Sequence, residues 1–186
     1  MSEKPEKPPK NLALKLALLG DPAVGKTSLI NQYIQYQFKE DYQPTLGVNI
    51  VVKELEIEEV NLYGRLILWD IAGQDKYDLS RKMFFQGCTG ALFVYDTTRQ
   101  STYDNIETKW LADFQKYTDK EPAYVLIGNK TDLKDARVVS SEDGRILAEK
   151  IKASDFVETS AKYGDNVENA FKKLVTQVLI NKGVDI

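Results

Sequence analysis

Four short polar clusters hold residue types that could do chemistry together: GDPAVGKT (Gly20 to Thr27), DIAGQ (Asp70 to Gln74), NKTD (Asn129 to Asp132) and TSAK (Thr159 to Lys162). The first fits G-x-x-x-x-G-K-[ST], a loop whose backbone N–H groups can wrap phosphate oxygens where a helix begins. The amides of Ala23, Val24, Gly25, Lys26, Thr27 and Ser28 would form that cradle. Lys26 would reach the outer phosphates, and the Thr27 hydroxyl would sit on Mg²⁺. In the second cluster, Asp70 can hold the metal through a water, Gly73 can turn its amide to a terminal phosphate, and Gln74 can orient an attacking water. In the third, beside Asn129 and Lys130, the Asp132 carboxylate can accept two adjacent N–H donors, which guanine offers and adenine does not. A site built that way rejects the analogue lacking the donors, because its own buried polar atoms go unpaired. In the fourth, Ser160 leads into the Ala161 amide, which can meet a purine carbonyl, and Lys162 can cover the ring. Taken singly, each of the last three also fits an ordinary strand-to-loop exit, so the argument rests on their occurrence together.

The elements that must position these clusters can be read from hydrophobic patterning. LALKLALLG, from Leu12 to Gly20, is a nearly continuous apolar run ending in glycine, as a buried parallel strand would be. Lys26 to Gln35 follows as a helix. Alternation from about Val51 to Glu58 and the segment Tyr63 to Asp70 predict an antiparallel hairpin turning near Asn61. GALFVYDTT (Gly90 to Thr98), AYVLIGNKTD (Ala123 to Asp132) and DFVETSAK (Asp155 to Lys162) each run from apolar to polar, and a helical stretch follows each one. Those helices are expected near Asp104 to Tyr117, Glu142 to Ile151 and Asn166 to Asn181, the last with Asp165 and Glu168 as a capping pair. Strands alternating with helices imply a mostly parallel sheet covered on both faces, with ligands at the carboxyl ends of its strands.

Composition narrows the function. The 186 residues are 42% hydrophobic and 28% charged, which suits one globular domain. A net charge of −3 argues against a nucleic-acid partner, whose footprint would be basic. With no histidine in the chain, the usual triads and most zinc sites are excluded, so catalysis must use carboxylates, amides, hydroxyls, lysines or a hard metal ion. The single cysteine, Cys88, lies among apolar residues and reads as a small buried hydrophobe, consistent with a reducing compartment. The charged, proline-rich start, residues 1–11, reads as a disordered tail before a domain over residues 12–182, with a short C-terminal tail over 183–186. Ser2 does not allow N-myristoylation, and no apolar run is long enough to span a bilayer. The expectation is a cytoplasmic monomer, peripheral to membranes only through partners.

Together, GDPAVGKT, Thr45 in YQPTLGV, WDIAGQ, GNKTD and ETSAK resemble the Ras superfamily of small GTPases, over about Leu12 to Ile180. TLGVNI, WDIAGQDKY, KMFFQGCTGALFVYDTT and KWLADF are similar to the Rab branch. The resemblance implies an α/β, three-layer P-loop NTPase fold: a six-stranded, mostly parallel sheet with one antiparallel strand and about five helices. It implies a switch that binds GTP or GDP with Mg²⁺ and hydrolyses GTP slowly. Phe38 would pack on the guanine, and Thr45 would close on Mg²⁺ only with a γ-phosphate present. Gly73 would contact that phosphate, Gln74 would position the water, and Lys26, Thr45 and Gly73 would share the catalytic work. Metal would be held by Thr27, Thr45 and, through water, Asp70. Ile50, Trp69 and Phe84 would form the apolar patch met by effectors, alongside exchange factors and activating proteins at the switch segments. Core packing is the competing reading for those three residues.

The chain departs from that pattern in four places. Ile71 stands where threonine is usual, and EEVNLYG lengthens the hairpin tip. The last residues, NKGVDI, hold no cysteine for prenylation, so no intrinsic membrane anchor is expected. Pro22 in the phosphate loop has no N–H to donate, and it lies where an incoming arginine finger would crowd against Gln74 and a γ-phosphate. Pro22 is expected to permit slow intrinsic hydrolysis while restricting a trans-acting arginine. Two rival readings stay open from sequence: a guanine-nucleotide-binding interaction module with negligible hydrolysis, and a P-loop kinase or ATPase.

Overall fold

A computed structural model describes residues 10–35, 45, 47–57, 62–72, 78–118 and 122–185. The strands are β1 (Lys10–Leu19), β2 (Val48–Ile57), β3 (Leu62–Ile71), β4 (Gly90–Asp96), β5 (Ala123–Asn129) and β6 (Asp155–Thr159). They form one sheet in the order β2-β3-β1-β4-β5-β6. β2 runs antiparallel to β3, and every other pairing is parallel. The helices are α1 (Lys26–Gln35), α2 (Asp78–Phe85), α3 (residues 100–117), α4 (Ser141–Lys150) and α5 (Val167–Asn181).

Burial on both faces of the sheet explains the continuous apolar strands. Along β1, Leu14, Leu16 and Leu18 enter a layer with Leu29 and Ile30 of α1 and Phe171 and Leu174 of α5. Ala17 and Leu19 point the other way, toward Phe85 of α2, Trp110 and Phe114 of α3, and Leu147 of α4. β4 divides in the same manner, with Leu92 and Val94 on one side and Phe93 and Tyr95 on the other. The expected side of α5 is the one that packs: Val167, Ala170, Phe171, Leu174, Val175, Val178 and Leu179 are all buried. β2 is one of the two edge strands and largely alternates in exposure, as a half-covered strand should.

Several local expectations are corrected. β1 begins at Lys10, which pairs with Leu62, so two residues read as tail belong to the sheet. α3 begins at Gln100 rather than Asp104. Its polar first turn has weak helix propensity, but the Thr102 hydroxyl donates to Arg99 O at 2.8 Å and accepts from Asp96 N at 3.0 Å, which fastens the turn to β4. α2 has no counterpart in the sequence reading, since its DLSRKMFF segment spans only eight residues. Asp165 does not cap α5: Asn166, in the left-handed region at φ 57, precedes the helix with no side-chain cap. Asp165 is instead bridged to Ser160, whose N–H donates to Asp165 O at 3.2 Å, closing the turn that carries TSAK. The hairpin turn near Asn61 lies outside the described residues.

Candidate functional site

The phosphate loop leaves β1 through two glycines at which any side chain would collide with a neighbour. A Cβ on Gly20 would lie 2.1 Å from Val94 O, and one on Gly25 (φ 104) would lie 2.3 Å from Asn129 Nδ2. Asn129 is almost fully buried and binds three places at once. Its Nδ2 donates to Val24 O at 2.9 Å, and its Oδ1 accepts from Thr159 Oγ1 at 3.0 Å and from the Ala161 amide at 3.2 Å. One side chain thus joins the phosphate loop, the end of β5 and the TSAK turn. A purine carbonyl would have to share the Ala161 amide with Asn129. Ser160 Oγ donates to Asp132 Oδ1 at 2.7 Å, which orients that carboxylate. Lys162 is exposed, with its Nζ 5.7 Å from the Tyr163 ring centroid.

Lys26 heads α1 with its ammonium buried in the loop, donating to Gly20 O at 2.8 Å and Asp21 O at 2.9 Å. Burial pulls its pKa down to about 8, against the upward pull of Asp70 and Asp21. An anion there would relieve an ammonium that is poorly solvated. Ala23 adopts φ 61, and Val24 is buried beneath the loop. Ser28 lies half-buried in the first turn of α1.

Thr27 and Thr45 place their hydroxyls 3.0 Å apart, and Thr27 Oγ1 donates to Asp70 Oδ2 at 2.5 Å. Thr45 Oγ1 is 3.4 Å from the same oxygen. Asp70 Oδ1 is buried with no hydrogen-bond partner among the described residues. Burial pushes the Asp70 carboxyl up, and Thr27, Lys26 and Thr45 offset only part of that rise. Two hydroxyls and an under-coordinated carboxylate form an all-oxygen donor set of the kind a hard cation takes, so these residues fit Mg²⁺. Phe38, Gly73 and Gln74 lie outside the described residues.

With this geometry in place, comparison with known proteins is decisive. The Ras family model matches residues 15–180. The chain belongs to the Ras family. The GTPase is 38% identical over 164 residues to Ras-related protein RABA1c of Arabidopsis thaliana, covering 88% of this chain and 74% of that protein. It is 40% identical over 167 residues to Ras-related protein Rab11E of Lotus japonicus, covering 88% and 73%. It is therefore a small GTPase switch of the Rab-like branch, with the trafficking regulation of that branch, and it hydrolyses GTP to GDP and phosphate. Members of the family bind GTP and GDP and meet regulators and effectors.

Beside Asp70, at the carboxyl end of β3, the GTPase brings the three expected patch residues together. Ile50 pairs in register with Trp69, and the Trp69 and Phe84 rings lie 6.1 Å apart. Ile50 is 47% exposed, whereas Trp69 and Phe84 are half-buried against the second core layer. Lys15 Nζ caps the Trp69 ring at 3.8 Å. Cys88 is buried, and burial pushes its thiol up to about 11, which makes it the inert hydrophobe expected. No helix among the described residues is long and apolar enough to cross a membrane.

Sequence reasoning missed a second group of residues around the phosphate loop. Asp21 accepts from Trp110 Nε1 at 2.8 Å and from Asn105 Nδ2 at 2.7 Å. Asp96 and Arg99 reach Lys130 and Pro22. An acidic residue ending a fully buried strand, as Asp96 does, was the available signal.

Proposed function

We propose that this GTPase reads guanine nucleotide through the residues assembled at the carboxyl ends of β1, β3, β5 and β6. The amides of Ala23 to Ser28 and the Lys26 ammonium hold the phosphates, and Asn129, Lys130, Asp132, Ser160, Ala161 and Lys162 surround the base. Thr27, Thr45 and, through water, Asp70 would hold Mg²⁺, which would supply neutralisation of phosphate charge. The observation that carries this reading is the convergence of Thr27, Thr45 and Asp70, with Asp70 Oδ1 buried and without a partner among the described residues.

Gln74 orients the attacking water, and Gly73 turns its amide to the terminal phosphate. Phe38 covers the guanine. Thr45 and Gly73 hold their segments in the GTP state and release them after hydrolysis, so that partners sense an order change. Effectors dock on Ile50 together with the edges of Trp69 and Phe84, while exchange factors and activating proteins act at the same switch segments. The chain works as a monomer in the cytoplasm and reaches membranes through partners.

Single-turnover hydrolysis of bound GTP tests the chemistry. We expect slow hydrolysis that requires Mg²⁺, and a fall of at least tenfold for Gln74→Leu with GTP binding retained. A Gln74→Leu chain that turns over at the parent rate would remove Gln74 from the mechanism.

A further inference from the structure

Asp96 ends β4 with only 1% of its side chain exposed, yet it carries a full set of partners. Its Oδ1 accepts from Thr98 N at 2.9 Å and Thr98 Oγ1 at 2.7 Å. Its Oδ2 meets Arg99 Nε at 3.0 Å and Lys130 Nζ at 2.8 Å. Burial alone would push this carboxyl up, but the bonds from Lys130 and Thr98 outweigh it and hold the group below its ordinary range.

Arg99 continues the chain of contacts, its Nη2 donating to Pro22 O at 2.9 Å. That carbonyl is the one polar backbone group Pro22 offers, since proline has no N–H. On the other side, Lys130 sits in the left-handed region at φ 70, and its own carbonyl accepts from Thr97 Oγ1 at 3.3 Å. One buried carboxylate therefore connects the loop that would hold the phosphates with the loop that would hold the base.

We propose that Asp96 and Arg99 are positioning residues that keep nucleotide bound, locking the phosphate loop at Pro22 in register with the base loop at Lys130. The proposal rests on the guanine-nucleotide reading above. Both halves of the site must face one rigid ligand, so slack between the loops weakens both contacts together. Arg99 suits the task because its planar guanidinium fixes two N–H donors toward Asp96 and Pro22 at the same time, whereas the donors of a lysine ammonium share one freely rotating nitrogen and fix no such spacing.

The test is release of mant-GDP, a fluorescent GDP analogue, into excess unlabelled GDP, well below each variant's melting temperature. Arg99→Gln should release it about tenfold faster, the effect of one lost charge-assisted bond. Arg99→Lys should be as fast as Arg99→Gln within about twofold, because charge without the rigid fork does not fix the loops in register. Asp96→Asn should also speed release, and adding Arg99→Gln to it should change the rate less than about twofold. Additive effects would mean two separate structural losses and would overturn the proposal. So would an Arg99→Lys chain at the parent rate, or an Arg99→Gln chain within about twofold of it. If the parent chain fails to retain mant-GDP at all, the nucleotide reading fails and takes this proposal with it.

Discussion

Lys26 carries a sharp electrostatic tension. Its pKa falls from 10.5 to about 8, because desolvation, with smaller help from Arg99 and Lys109, outweighs the upward pull of Asp70 and Asp21. The unfolded chain keeps this lysine protonated up to its ordinary value, so between about 8 and 10.5 the folded chain binds fewer protons than the unfolded one. Stability of the nucleotide-free chain from this group therefore rises with pH across that window, and below it the buried ammonium costs stability. A phosphate beside Lys26 restores the charged form, so GDP binding at a pH of about 8.5 should take up a proton. Titration calorimetry in buffers of different ionisation enthalpy measures that uptake, and a binding heat independent of buffer would contradict it. Pro22 belongs to the same scale. It is exposed at the loop's outer face and its carbonyl is already engaged by Arg99. Pro22→Gly should leave intrinsic hydrolysis slow but enlarge the acceleration given by an arginine-supplying activating protein. Equal acceleration of both chains would show that Pro22 places no restriction on a trans-acting arginine.

Among the elements, α3 departs furthest from regular geometry. Its middle turns, Ile106–Leu111, are π-helical between two α-helical ends. Such insertions shift side-chain direction and gather at functional sites. Here Ile106, Trp110 and Leu111 are all buried, and the indole N–H of Trp110 reaches Asp21 in the phosphate loop. Trp110→Phe would keep much of the packing while leaving Asp21 Oδ1 without this donor. The expected loss is about 1–3 kcal/mol in urea unfolding, typical of stranding one buried polar partner. A variant as stable as the parent would show that Asn105, which donates to the other oxygen of Asp21, suffices by itself. The first turn of α3 carries the same lesson: a short polar segment is helical where the neighbouring β4 supplies a bond, which no periodicity within the segment could announce.

For the whole molecule, strand order decides where function lies. With β1 central and flanked by β3 and β4, the carboxyl ends of the parallel strands bring Lys26, Asp70, Asp96, Asn129 and Ser160 to one edge of the sheet. Those loops are held mainly to each other, through Asn129, Asp96 and the Thr27–Asp70 contact. A ligand contacting all of them should act as a staple. The melting temperature should rise with GDP and Mg²⁺, about 2.7 kcal/mol of stabilisation at a hundredfold excess over Kd, and chelation should reverse much of it. A melting temperature that ignores both additions would mean that the folded chain does not bind the nucleotide.

The alternation of apolar strands and amphipathic helices, the phosphate loop and the polar clusters at strand ends were all legible in the sequence, because each depends on local periodicity or on residues adjacent in the chain. Those features were enough to expect a mostly parallel sheet with a guanine-nucleotide site at one edge. Tertiary structure alone decided which residues hold the clusters to one another. Asp21 finds Trp110 across 89 positions and Pro22 finds Arg99 across 77. Asp96 looked like the ordinary end of a strand until packing set it beside Lys130. Such pairings leave no local mark, since buried carboxylates gain their partners only when separate strands close around them and exclude water.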